Sequence, residues 1–176
     1  MPKITYVRAN VSDIDSFFPF FANSIHELFP EYTAKTREYF IEKDYHLDWM
    51  IQVVKTGDKI LFVAKVESNY AGYLLINKVY GVVSVASWLA VDPKYQHQGI
   101  ATTLIKMWED YCSKNGGHSL QLWTTDGNVC FYEKRGFING GNYKAAWFGV
   151  DMPIMYKSLR TAEEKNYLHN YLTQTT

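Results

Sequence analysis

Hydrophobic residues along this 176-residue chain recur at two spacings, and the switching between them predicts helices packed around a sheet. Ile4 to Ala9 reads as a first strand. Ser12 stands where a cap would open a helix whose apolar residues Ile14, Phe17, Phe18, Phe21, Ile25 and Leu28 form one stripe, with Pro19 placed to kink it. The Phe29-Pro30-Glu31-Tyr32 corner ends that stripe. A second helical stretch is predicted from Thr36 to about Val54, with Leu47, Met50, Ile51 and Val54 on one face and Gly57 as its stop. The period then shortens to two. Residues 59–67, 72–78 and 82–91 read as strands, and the links 68–70 and 79–81 are short enough for an antiparallel meander. Leu104, Ile105, Trp108 and Cys112 next form a helical stripe that stops at Asn115-Gly116-Gly117. A strand at 119–124 should therefore run parallel to 82–91, since a helix separates the two. Residues 125–137 read as a cap, a short helix and a glycine stop. Strands at 137–147 and 150–159 follow, with Pro153 marking an edge or a bulge.

Length and composition narrow the picture. The predicted elements fill residues 1–159 as one domain, and 160–176 is a polar tail or short helix that, with the final strand, could pair with a second copy as a homodimer. With 18 basic and 18 acidic residues the formal charge is zero, so no nucleic-acid or anionic-membrane partner is expected. No apolar run approaches the ~20 residues of a membrane span, and Met1-Pro2-Lys3-Ile4 opens no apolar signal region, so a cytoplasmic protein is expected. Cys112 and Cys130 fall in different predicted helices and read as reduced core or near-core thiols. His26, His46, His97, His118 and His169 make no metal-ligand pair, and no metal is expected. Aromatic residues reach 16%, most of them core, a minority free to wall a pocket.

Chemistry concentrates at Gln96-His97-Gln98-Gly99-Ile100-Ala101, where the strand ending Val91-Asp92-Pro93 turns into a helix. The first N–H groups of a helix lack internal partners and carry the positive end of its dipole, so such a turn holds phosphate without a lysine. Gly99 permits close backbone approach. There is no Gly-Lys-Ser/Thr ending for a nucleoside triphosphate and no Gly-x-Gly-x-x-Gly fingerprint. The Gln-x-x-Gly-x-Ala turn after Val-Asp-Pro resembles the pyrophosphate loop of the GNAT acetyltransferase superfamily. Downstream, Asn128-Val129-Cys130-Phe131-Tyr132-Glu133-Lys134-Arg135-Gly136-Phe137 resembles the second signature of the same family. The two motifs are independent and stand in the family's order.

That resemblance, over roughly residues 4–159, implies an α/β (α+β) fold, a mixed, mostly antiparallel sheet of about seven strands with helices on both faces. It also implies acetyl-coenzyme A as acyl donor and a small-molecule or protein amine as acceptor. The pyrophosphate would meet Gln96, His97, Gln98, Gly99, Ile100, Ala101 and Thr102, while Leu89, Ala90 and Val91 bind the pantetheine arm as a pseudo-strand. A bulge within 87–90 would turn an N–H toward the thioester oxygen. Tyr132 occupies the place of the general acid facing the sulfur, with Asn128, Phe131 and Lys134 as further coenzyme contacts; Asn128 also reads as a helix cap. Many relatives carry a glutamate on the strand before the loop, but Val85-Ala86-Ser87-Trp88-Leu89 holds no carboxylate. The base is then water, Glu27, Glu31 or Tyr32, and Glu27, Tyr32, Trp88 and Trp147 are candidates for the acceptor cleft. Two other readings stay open: a coenzyme-binding sensor without turnover, and an interaction protein that binds peptides through aromatic surface.

Overall fold

The computed structural model describes residues 3–168. Seven strands make one sheet: β1 (Ile4–Arg8), β2 (Lys59–Val66), β3 (Asn69–Asn77), β4 (Val83–Val91), β5 (Ser119–Trp123), β6 (Ile138–Trp147) and β7 (Val150–Ser158), in the order β1-β2-β3-β4-β5-β7-β6. Only the β4–β5 pair is parallel; the other five neighbours are antiparallel. The helices are α1 (Ile14–Leu28), α2 (Ala34–Tyr39), α3 (Leu47–Thr56), α4 (Ile100–Lys114), α5 (Asp126–Glu133) and α6 (Glu164–Tyr167). None of them is long and apolar enough to cross a membrane.

Strands β2 and β3 are apolar on both faces because the sheet divides two cores. Ile60, Phe62, Ala64 and Val66 face α4, whose Leu104, Ile105, Trp108 and Cys112 are buried against them. Leu61, Val63, Tyr73 and Leu75 pack instead with Phe17, Phe21 and Ile25 of α1 and Met50 of α3. Trp108 ties the α4 layer to the sheet, its Nε1 donating to Ser84 Oγ at 2.8 Å while Ser84 Oγ donates to the Asn77 carbonyl at 2.9 Å.

Several local expectations change. The capping side chain is Asn10, not Ser12, and it opens a single 3-10 turn at Val11–Asp13 by accepting from the Ser12 N–H; α1 follows directly, with Asp13 at its N-cap making no side-chain cap bond. The predicted helix from Thr36 to Val54 is two helices. A wide π turn at Phe40–Asp44 brings Phe40 fully into the core, and the His46 imidazole then accepts the Trp49 N–H to open α3 afresh. Cys112 is buried, but Cys130 is exposed rather than near the core. Strand β7 is interior, so Pro153 marks a bulge: between the Asn139–Met155 and Asn142–Pro153 pairs β6 sets two residues, Gly140 and Gly141, against the single Ile154. Strand β7 is flanked by β6 and, over Ile154–Ser158, by β5, so it is not the edge strand of the sheet. Of the tail, α6 is a four-residue helix, and 169–176 lie outside the described residues.

Candidate active site

Two structural irregularities open the sheet at its centre. Strands β4 and β5 pair only over Val83–Val85 and Ser119–Gln121, then separate. Within β4, Trp88 pairs with Leu75 and Ala86 with Ile76, which leaves Ser87 as the extra residue of a bulge. Both features act on the same stretch. Among the described residues β4, from Ala86 to Val91, keeps β3 on one side and has no strand on the other, so its backbone faces a cleft.

On the α4 side the cleft is a groove of about 410 Å³. His97 and Gly99 at its rim have left-handed backbones (φ 60° and 82°), and α4 starts immediately after them. Since the residue capping α4 is Gly99, no side-chain oxygen among the described residues occupies the open N–H groups of Ile100, Ala101 and Thr102. Gly99 thus supplies a conformation costly for other residues and leaves the dipole end uncovered. Opposite, the Arg135 guanidinium donates to Thr102 Oγ1 through Nε (3.0 Å) and Nη2 (2.7 Å), and to the Phe131 carbonyl (2.5 Å), lying 3.5 Å from the Phe131 ring centre. This joins the end of α5 to the start of α4 and sets a fixed positive charge beside the open N–H groups.

On the opposite side a second cavity, of about 650 Å³, is walled by aromatic residues. Trp88 is at the centre of that wall, with ring centres of Phe29 at 4.8 Å, Tyr45 at 5.5 Å, Phe40 at 5.6 Å and Tyr32 at 6.3 Å. Trp123 and Trp147, 6.0 Å apart, form another wall. Among the described residues Trp88 Nε1 is buried without a hydrogen-bond partner. Glu31 lines this cavity, and burial raises its carboxyl above the usual range. Lys59 lines it too.

The two cavities share Leu89, Ala90, Val91, Gln96, Asn128 and Tyr132, so they are one passage through the sheet. Tyr132 is 8% exposed, its ring packed on Phe131 and Phe137 at 5.0 and 5.5 Å. Burial pushes its hydroxyl well above the ordinary 10.0, which keeps it protonated at neutral pH and able only to give a proton. Asn128 does not cap α5; Thr125 takes that position, and the Asn128 amide donates to Thr125 Oγ1 at 3.3 Å.

The Acetyltransferase (GNAT) family model matches residues 22–137, about two thirds of the chain and all of this passage's β4–α5 side. The chain belongs to the GNAT acetyltransferase family. No curated protein sequence matches it, but solved structures do. The PaiA N-acetyltransferase of Thermoplasma acidophilum, crystallised with coenzyme A, superposes with a TM-score of 0.73 at 20% identity over 89% of this chain and 99% of that one. Salmonella typhimurium yncA with its cofactor acetyl-CoA gives 0.69 at 15% over 92% and 96%. The ribosomal-protein-S18-alanine N-acetyltransferase of Escherichia coli gives 0.65 at 20% over 92% and 97%. At these identities the likeness is one of fold, and the mixed seven-strand sheet flanked by helices is the GNAT sheet.

Of the residues singled out in the sequence, Leu89, Ala90, Val91, Gln96, His97, Gly99, Ile100, Ala101, Thr102, Asn128, Phe131 and Tyr132 line this GNAT groove together. Gln98 does not line it, and Lys134 lies outside it while its neighbour Arg135 lines it. Tyr32, Trp88 and Trp147 meet in the second cavity, whereas Glu27 is an exposed residue of α1 away from it. Tyr32 is also a poor base, because burial raises its phenol far above neutrality. Sequence reasoning missed Lys59 and the aromatic Tyr45 and Trp123. Lys59 was within reach of the pattern: it shares strand parity with Leu61 and Val63, which face the aromatic core.

Proposed function

We propose that this GNAT protein transfers the acetyl group of acetyl-coenzyme A to a primary amine by direct attack on the thioester. The observation that carries the reading is the continuous passage in which Tyr132 is common to both cavities, one rimmed by open helix N–H groups and the other by aromatic side chains. The donor set suits a diphosphate: backbone N–H groups at the start of α4 and the Arg135 guanidinium require no metal to bind it. The unpaired backbone of β4 beyond the split suits an extended amide chain such as pantetheine, and the bulge at Ser87 frees backbone groups where a thioester would then end. Coenzyme A and acetyl-CoA in the similarly folded structures point the same way.

In this reading α4 and Arg135 hold the phosphates, β4 aligns the arm, and a bulge N–H stabilises the oxyanion formed on attack. Tyr132 then gives its proton to the departing sulfur. The aromatic cavity excludes water and admits the amine. A test is thiol release from acetyl-CoA in the presence of spermidine, lysine, tyramine and a short peptide with a free N-terminus. Release above hydrolysis with at least one amine is expected. Tight acetyl-CoA binding without amine-dependent release would mark a sensor. An unchanged melting temperature would point to an interaction protein, since ligand at a hundred times its Kd stabilises by about 2.7 kcal/mol.

A further inference from the structure

Removal of a proton from the acceptor is the step that β4 leaves unassigned, for its approach to the loop holds no carboxylate. The neighbouring strands supply something else. Lys59 opens β2, stands opposite Asn77 at the end of β3, and reaches the bulge residue of β4: its Nζ is 2.6 Å from Ser87 Oγ and also donates to Asn77 Oδ1. Three adjacent strands thus place one polar residue each in a row at the edge of the aromatic cavity. Two of the positions around Nζ are taken by Asn77 and Ser87. The remaining one is available to whatever occupies the cavity that Lys59 lines.

We propose, resting on the acyl-transfer reading above, that Lys59 is the proton acceptor for the acceptor ammonium, with Asn77 and Ser87 as its positioning residues. Burial pulls the Lys59 amine down from 10.5 to about 8, so a useful fraction is neutral under ordinary conditions. Among the described residues no carboxylate pairs with it. Asp58, next to it in the chain, is committed to Lys78 at 2.7 Å. Of the other titratable groups lining the cavity, Glu31 is the one carboxyl, and burial holds the phenols of Tyr32, Tyr45 and Tyr132 above 10.0 and so uncharged in this range. The proton balance closes. One of the three ammonium protons passes to Lys59 and on to solvent. The freed nitrogen forms the N–C bond as the C–S bond breaks, and its second proton restores the phenol that protonated sulfur. The third stays on the amide.

The test compares the wild-type protein with Lys59→Arg and Lys59→Met, using whichever of spermidine, lysine, tyramine or the short peptide wild type acetylates fastest. In wild type kcat/KM should rise with pH through about 8; any limb from the amine's own ionisation is common to all three proteins. Both variants should lose that limb and fall about a hundredfold or more at pH 7.5, with coenzyme A affinity and melting temperature near wild type. A separate readout, the pH dependence of Lys59 labelling by trinitrobenzenesulfonate followed by peptide mass mapping, should show a midpoint near 8. A midpoint near 10.5 would overturn the assignment. So would wild-type activity in Lys59→Arg, which would make the residue a charge anchor. Absence of turnover with every amine, alongside a labelling midpoint near 8, would instead remove the acyl-transfer reading and leave Lys59 a half-buried amine without that role.

Discussion

Replacing Tyr132 with phenylalanine separates the chemical step from binding more cleanly than any other change in the passage. The ring contacts with Phe131 and Phe137 persist, and among the described residues no hydrogen bond to the hydroxyl is found, so deleting it orphans no partner. Stability should therefore stay within about 0.5 kcal/mol of wild type. Loss of a positioned proton donor should lower kcat by roughly 10²–10⁴, or about 3–5 kcal/mol of barrier. Coenzyme A affinity should hold, because the groups proposed to hold the phosphates lie at α4 and Arg135. Calorimetry of coenzyme A binding and steady-state thiol release with a saturating amine measure the two quantities. Because the buried phenol ionises only far above neutrality, Tyr132 should add no limb to the wild-type kcat profile between about pH 6 and 9. A kcat within twofold of wild type would refute the acid role; a large loss of coenzyme affinity with unchanged kcat would recast Tyr132 as a binding wall.

Three other outcomes follow from the same geometry. Gly99→Ala forces a left-handed backbone on a residue with a Cβ, so it should cost about 1–2 kcal/mol and weaken coenzyme A binding in calorimetry; wild-type affinity would show that the turn does not grip phosphate. Ser84→Ala leaves the fully buried Trp108 N–H without its acceptor, which should cost about 1–3 kcal/mol and lower Tm by roughly 2–12 °C, and an unchanged melting curve would contradict the assigned network. Burial raises the phenols of Tyr32, Tyr73 and Tyr132 above their ordinary 10.0, so the unfolded chain ionises first as pH rises. That contribution is fully present below pH 10 and is lost above it, and the urea midpoint should fall between pH 10 and 11; a flat midpoint would count against it.

The order of strands and helices was legible in the sequence because period two and period 3.6 leave different marks, and because the helix between β4 and β5 requires their parallel pairing. The open helix start proposed to hold phosphate was legible for a related reason. Its chemistry is backbone chemistry at contiguous positions, 96 to 102, where a glycine between a strand and an amphipathic helix determines which N–H groups remain open. Patterning failed where a local side chain competed with it: Asn10 displaced Ser12 as the cap, and the π turn with His46 cut one predicted helix into two.

Residues far apart in the chain could be brought together only by folding. Lys59, Asn77 and Ser87 look unremarkable one by one, and become a cluster because the antiparallel register sets Lys59 opposite Asn77 and a single extra residue in β4 turns Ser87 toward them. The preference for Arg135 over Lys134 in the groove is likewise a matter of which side of α5 faces α4. By itself the sequence determined most of the elements, the family and the open backbone turn at 96–102, all encoded over short stretches. Tertiary structure alone decided the passage through the sheet and the environment of its titratable groups, since burial and register are sums over distant strands that no short window contains.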